Sequence, residues 1–397
     1  MTQDEQQAPH ELKRPELDFG STFSSNLPAI LSLLNISLAV TSYQSQRLIL
    51  IQAKGDTVET KLKAFSRPMG LYADARRLTI GTLNQVIDFQ YAAASLQKVK
   101  QGGLDKLTEL PAKLQDSDWQ VNTEILAERQ QQLDDLKAAD ALLLERAALT
   151  TGMINIHDIA WGKQGLWVVN STFSCLSRLS PNYSFIACWK PPFINDLVPE
   201  DRCHLNGMAM LDGEPRYVTT FNQSDRRDSW RLKGQQAVGT LIDIKQNRIL
   251  KDDLLLPHSP RCHNGWVYYC VSGHGEVQRY HPETEVTELV CQLPGFTRGM
   301  AFIGDLMLVA TSKVRPSQLH DNQSAPPMPL QQRLGDTESI CGVWLVDTKT
   351  GDVIASLQFE GDVTQLYDIA VLHGAPNVEL LQHTDVLASH LFEFSQE

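Results

Sequence analysis

Six short segments of this chain carry the residues whose types could do chemistry: Arg67-Pro-Met-Gly-Leu, His157-Asp-Ile-Ala-Trp, Asn206-Gly-Met-Ala-Met, Ser259-Pro-Arg-Cys-His, Arg298-Gly-Met-Ala-Phe and Tyr367-Asp-Ile-Ala-Val. Aligned without gaps, each runs polar, small or acidic, usually apolar, small, then usually bulky. No first position is apolar, which is unusual where a position serves only core packing. If the segments are equivalent strands, Arg67, His157, Asn206, Ser259, Arg298 and Tyr367 converge as a ring. Two of the six are arginines, whose permanently charged planar fork can grip a carboxylate or a phosphate. The competing use of Arg67 and Arg298 is an ion pair with Asp158 or Asp368, the acidic second residues of two segments.

His157, His204 and His258 lie at or just before these segments, and imidazoles from three strands can hold iron or zinc. They stand out of register, however, and no HxH or HExxH spacing joins them, so no metal ligand is assigned and no cofactor is expected. His204, His258 and Arg261 join the candidate ligand-binding residues because they flank or lie within the segments. Ser259 follows His258, but adjacent strand residues point to opposite faces, which argues against a nucleophile and its base. No GxSxG elbow, GxGxxG loop or GxxxxGK(S/T) loop occurs. The ring therefore reads as the site of a small anionic or peptide-like ligand. A metal-dependent hydrolase or lactonase with Asn206, Asp368 and His157 around the ion, and a protein-interaction scaffold, are the alternatives; whether the chain is an enzyme stays open.

Such a ring needs strands to position it. After most segments comes a turn and a β-rich run: Leu78-Thr-Ile-Gly-Thr, Leu166-Trp-Val-Val-Asn, Arg216-Tyr-Val-Thr-Thr, Trp266-Val-Tyr-Tyr-Cys-Val and Leu306-Met-Leu-Val-Ala. The shorter intervals between segments, roughly 40–50 residues, suit one four-stranded propeller blade each. Asp347-Thr-Lys-Thr-Gly351 between Val343-Trp-Leu-Val and Val353-Ile-Ala-Ser-Leu reads as a hairpin. Little strand pattern follows Tyr367-Asp-Ile-Ala-Val-Leu, whereas Ser37 to Ser42, Arg47 to Gln52 and Thr57 to Phe65 precede the first segment. One C-terminal inner strand joining three N-terminal outer strands would close the ring and pair its free edges. The fold expected is an all-β, six-bladed β-propeller closed by N- and C-terminal strands, with a helical insertion.

The propeller is expected to span residues 21–397, behind a flexible tail at 1–20. Two intervals exceed a blade. Residues 95–150 hold a helical insertion, with capping-box spacing at Ser117-Asp-Trp-Gln120 and an apolar stripe of Leu126, Leu133, Leu136 and Leu143. The 120–148 helix is expected to pack on the propeller and could instead meet a protein partner. Residues 313–338, rich in proline, read as a long loop that could cover one mouth of the channel. Trp189-Lys-Pro-Pro-Phe193 and Pro199-Glu-Asp-Arg-Cys-His-Leu-Asn206 connect blades and could wall a pocket.

A net charge of −12 without a long Lys/Arg block argues against nucleic acid and anionic membranes as partners, though a local basic pocket remains compatible with it. The charged start lacks the apolar core of a secretory signal, and Leu27 to Val40 is too short to span a bilayer. Seven scattered cysteines with no CxxC pair fit reduced thiols, so the expected location is cytoplasmic.

The chain resembles a bacterial family of conserved hypothetical proteins, a domain of unknown function. The likeness rests on Ile156-His-Asp-Ile-Ala-Trp161, Trp189-Lys-Pro-Pro-Phe193, Pro199-Glu-Asp-Arg-Cys-His-Leu-Asn-Gly207, Leu256-Pro-His-Ser-Pro-Arg261, Leu293-Pro-Gly-Phe-Thr-Arg-Gly299 and Phe359-Glu-Gly361. It covers most of residues 37–375 and implies no activity. More distantly, Asn206-Gly-Met-Ala-Met is similar to the inner-strand motif of calcium-dependent gluconolactonase and paraoxonase propellers. That likeness implies a channel metal on Asn206 and Asp368, which Arg67 and Arg298 would oppose.

Overall fold

The β-rich runs pair in sequence order, as short connections favour. In a computed structural model, which describes residues 17–109, 123–233, 236–316 and 326–394, they form six sheets around a common channel. From the channel outward, blade 2 comprises Ile156–Gly162, Gly165–Asn170, Cys175–Ser180 and Tyr183–Trp189. Blade 3 comprises Leu205–Leu211, Glu214–Thr220, Gly239–Asp243 and Arg248–Leu254. Blade 4 comprises Pro257–His263, Trp266–Val271, Glu276–Tyr280 and Thr287–Gln292. Blade 5 comprises Phe296–Ile303, Leu306–Ser312, Gly342–Asp347 and Val353–Phe359, with Ser21–Phe23 added at its outer edge.

Blade 6 closes the ring as the sequence predicts. Its inner strand Ile369–His373 is C-terminal, and Ile36–Ser42, Arg47–Lys54 and Thr57–Ala64 are N-terminal. Ile369 sits opposite Val40 and His373 opposite Ile36. Blade 1 comprises Leu71–Ala73, Arg77–Gly81, Gln85–Tyr91 and Ala141–Thr150, and Val378–Leu381 adds a parallel edge strand beside Ala141–Leu144. That last strand escaped the sequence reading because four residues show no clear alternation.

Six apolar clusters lie between neighbouring blades, such as Tyr217 and Leu241 of blade 3 against Val267 and Tyr269 of blade 4. A sheet covered on both faces reads as a continuous buried run, and Ile36–Ser42 is buried at every residue.

Helices α1 (Leu27–Leu34), α2 (Ala93–Lys100) and α3 (Thr123–Ala138) are set on the outside of this ring. Leu96 and Val99 of α2 meet Leu133 and Leu136 of α3, and both helices rest on Leu142, Leu144, Leu387 and Leu391. The helical insertion ends earlier than 150. Ala141–Thr150 is the fourth strand of blade 1, and Leu143 packs inside the propeller. Pairing with Gln85–Tyr91 there overrides the helical preference of Leu and Ala. Ser117–Gln120, residues 1–16 of the expected tail and 317–325 of the expected loop lie outside the described residues. Asp18 and Gly20 are hydrogen-bonded to blade 5's exit through Asp362 and Glu360. Within 313–338, Pro329–Leu334 is a short helix. Among the described residues no helix is long and apolar enough to cross a membrane.

Candidate functional site

Strand register fixes which side chains share a level of the channel. Ile159 faces Val168, Met208 faces Val218, Met300 faces Val309 and Ile369 faces Val40, so His157, Asn206, Arg298 and Tyr367 occupy one level. The other two members differ from the expected ring. Asp158 accepts the amide of Met208, and Asp368 accepts the amide of Leu71 in the same way, which makes Met69 the blade 1 residue. His258 meets a serine 14 residues onward, as His157 does, which makes it the blade 4 residue. Arg67 therefore lies two places before the ring, exposed at its mouth, and Ser259 lies one place beyond it at a φ of 45°. The polar first residues misled the alignment in these two blades. Glycine carries the truer register: a Cβ on Gly70 would stand 3.0 Å from Asp158 Cα, one on Gly207 2.9 Å from Ser259 N, and one on Gly299 2.5 Å from Asp368 Cα.

His157 and His258 are held alike. His157 Nδ1 lies 2.8 Å from the Asn155 carbonyl and 2.7 Å from Ser171 Oγ, which donates onward to the Leu205 carbonyl. His258 Nδ1 lies 2.9 Å from the Leu256 carbonyl and 2.7 Å from Ser272 Oγ, which donates to the Thr297 carbonyl. Each carbonyl is aimed by a left-handed residue, Asn155 at 55° and Leu256 at 53°, a strain of roughly 1–2 kcal/mol apiece. Both rings are thus neutral with the proton on Nδ1. Burial pushes His157 down to about 3, helped by repulsion from His204. Burial and then the Arg298 charge hold His258 well below the ordinary range.

One level further along the channel, Arg261 of blade 4 reaches across the axis. It bonds Asp158 Oδ2 of blade 2 at 2.7 Å and Asp368 Oδ1 of blade 6 at 3.4 Å. It also donates to the carbonyls of Met208 in blade 3 and Met300 in blade 5. The two carboxylates expected as partners of Arg67 and Arg298 are thereby engaged with Arg261. Burial raises Asp368 to about 7 against the pull of Arg261.

Arg298 is 8% exposed and has no carboxylate within ion-pair distance among the described residues. Its Nη1 donates to His258 Nε2 at 2.7 Å, while its Nε has no partner. Among the described residues the Tyr367 hydroxyl, on a ring 5.7 Å from the Arg298 guanidinium carbon, and Asn206 Nδ2 of the same level are likewise buried without partners. Above this level opens a pocket of about 460 Å³. Its wall includes Arg67, Asn155, His204, Leu256, Phe296 and Gln365, each two residues before a ring member. Tyr43, Phe221, Trp230, Arg231, Lys313 and Arg315 complete much of the mouth. Among the described residues five cationic side chains and no carboxylate line it, although the chain as a whole is acidic.

His204 stacks on Trp230 with centroids 4.0 Å apart. Its Nδ1 is 2.9 Å from Asp201 Oδ2, which also accepts the Trp230 indole N–H at 3.0 Å. Burial pushes Asp201 up, but His204 more than offsets it and the carboxyl lies below its usual range. His204 Nδ1 is thus turned to Asp201, and Nε2 makes no hydrogen bond among the described residues.

Of the sequence-predicted residues, Arg67, His157, His204, His258, Arg298 and Tyr367 line the pocket, and Asn206 lies at the same level. Asp158, Arg261 and Asp368 form the plug beneath it, and Ser259 is not on the pocket wall. Phe221 and Trp230 were missed, because connections between strands bring them in and no repeat marks them, whereas Asp201 falls in the 199–206 stretch and Lys313 and Arg315 in the 313–338 loop expected near the pocket, without being singled out there. Among the described residues no three His, Cys, Asp or Glu side chains converge as metal ligands.

A family model described as "Domain of unknown function (DUF4915)" matches residues 25–381. No curated protein matches the chain. Among solved structures, the nidogen/laminin complex is similar at a TM-score of 0.45 and 10% identity, over 85% of this chain and 99% of that one.

Proposed function

The chain belongs to this domain family of unknown function, and we propose from its site that it binds a small anionic or peptide-like ligand at the channel mouth, with the anionic group on Arg298. The observation that carries the reading is the buried Arg298 guanidinium without a carboxylate. A buried, unpaired charge is costly, and a bound carboxylate or phosphate would neutralise it with charge-assisted hydrogen bonds. The unpartnered Tyr367 hydroxyl would supply a further donor beside it, and the aromatic wall would cover the ligand's apolar part.

Calorimetric titration with a panel of carboxylates and phosphates tests this. Arg298→Ala should weaken every ligand that binds wild type by at least about tenfold, the value of one charged hydrogen bond. Arg298→Lys should fall between them, since it keeps the charge and loses the fork. Equal affinities in all three folded proteins would refute the reading.

The Asp201–His204 pair favours a second reading, proton transfer on the bound anion. A carboxylate on Nδ1 orients the ring, and in its neutral form the Nε2 of such an imidazole can act as a base toward a bound ligand. Ligands found by calorimetry, incubated in heavy water, would then show hydrolysis or C–H exchange by NMR that His204→Gln abolishes. Recovery of every ligand unchanged would sink this second reading alone.

A further inference from the structure

Resting on the anion-binding reading, we propose that the ligand carries two anionic groups on an apolar or aromatic body, one seated on Arg298 and the other held at the mouth by Arg67 and Arg315. The cations of this pocket are not equivalent. Lys313 lies 3.4 Å from Glu338, and Arg231 lies 3.2 Å from Asp228. Arg67, Arg298 and Arg315 have no carboxylate within ion-pair distance among the described residues. Three arginines without an ion-pair partner among the described residues line one cavity in a chain that has 47 Asp and Glu against 35 Lys and Arg.

They also stand at two depths. Arg298 is almost fully buried, whereas Arg67 and Arg315 are exposed. A single carboxylate cannot sit at both levels, but a body lying along the aromatic wall spans them. Arg315 follows the strand Leu306–Ser312, whose Ser312 faces Phe296, two residues before Arg298. The Arg315 guanidinium is therefore above Arg298 on the same blade, near enough that its charge helps to lower Arg298's pKa, behind the larger effect of burial. Like charges held close without an intervening carboxylate repel, and a dianion relieves that repulsion at both ends. Beside them lie the Phe296 ring, its centroid 4.6 Å from the Arg298 guanidinium carbon, and the Tyr43 ring, 5.8 Å from that of Arg315.

Paired probes of equal body and unequal charge provide the test: hexanoate against adipate, and phenylacetate against para-phenylenediacetate, titrated at low salt. In wild type each diacid should bind at least about tenfold tighter than its monoacid. Arg67→Gln/Arg315→Gln should shrink that gap to within about twofold, diacid and monoacid being compared in the same protein. Arg298→Gln should weaken both members of each pair. Equal binding of diacid and monoacid to wild type, with both still sensitive to Arg298→Gln, overturns the two-anion inference and leaves the anion site standing. Indifference to Arg298→Gln, or no binding of any probe at millimolar concentration, overturns both.

Discussion

At the scale of single residues, the site sets proton-binding groups against each other. His157, held at about 3, stays neutral in the folded protein, whereas an unfolded histidine titrates near 6.5. Between those values the unfolded chain binds the extra proton, so this histidine's contribution to stability is lost as pH falls; His258 adds a second loss of the same sign. Asp368 works the other way. Its carboxyl is raised from 3.8 to about 7 by burial, so the folded state binds the extra proton and its contribution is lost as pH rises through that window. The three groups together leave roughly one net proton taken up on unfolding between pH 4 and 6.5. Asp368→Asn removes the opposing group. Its stability should fall toward acid more steeply than wild type, by about 1.4 kcal/mol per pH unit. Urea unfolding at pH 4.5, 5.5 and 6.5 measures both slopes, and parallel lines would show that Asp368 carries no proton there. The serines beneath the histidines have a cost of their own. Ser171→Ala strips a partner from both His157 and the Leu205 carbonyl, and it should lower stability by about 1–3 kcal/mol in the same unfolding assay.

Elements show why the repeat was only partly legible. Inner strands converge toward the axis, and where they come closest the second residue has no room for a side chain. A Cβ on Gly299 would reach within 2.5 Å of the Asp368 backbone, and one on Gly70 within 3.0 Å of Asp158. Gly299→Ala should therefore destabilise the protein by about 3 kcal/mol and Gly70→Ala by about 1 kcal/mol. Thermal melts of both variants check that order; a Gly70→Ala protein melting below Gly299→Ala would contradict it. The same crowding explains the register error. An alignment keyed to polarity placed Arg67 and Ser259 in the ring, yet a polar residue is tolerated anywhere near a wet mouth. Glycine at the second position is demanded by contact, and aligning Met69-Gly70, Asn206-Gly207 and Arg298-Gly299 gives the register the structure has. His157, Asn206, Arg298 and Tyr367 were legible because the rest of their segments is regular. Trp230 was not, since a connection of its own length brings it to the pocket and no spacing announces it, and Asp201 and Arg315 were legible only as members of the 199–206 stretch and the 313–338 loop.

For the whole molecule, closure and site depend on the same residues. The strand Ile369–His373 completes blade 6, and the two residues before it are Tyr367, which lines the pocket, and Asp368, which accepts Leu71 N and meets Arg261. Arg261 in turn contacts blades 2, 3, 5 and 6 from blade 4, so its plug assembles only when the ring has closed. Beyond blade 6 the chain continues to blade 1, where Val378–Leu381 covers the outer edge and Leu387 and Leu391 pack against α2 and α3. Two truncations separate these roles. A chain ending after Gly374 keeps the inner strand but loses the outer cover, with Ala375, Val378 and Leu380 of the core between blades 6 and 1. It should fold, melt lower than the full chain and keep its response to anions. A chain ending after Leu366 loses eight more residues in sequence but the whole of the closure: the unpaired Ile36–Ser42 edge, the orphaned Leu71 amide and an Arg261 left with one carboxylate. Exposed edges template association, and a half-paired buried charge costs about 3–5 kcal/mol. This shorter chain should elute as aggregate in size-exclusion chromatography and show no near-UV dichroism. A monomeric product of that truncation, melting within a few degrees of the Gly374 chain, would mean that blades 1 to 5 hold the ring without its shared blade.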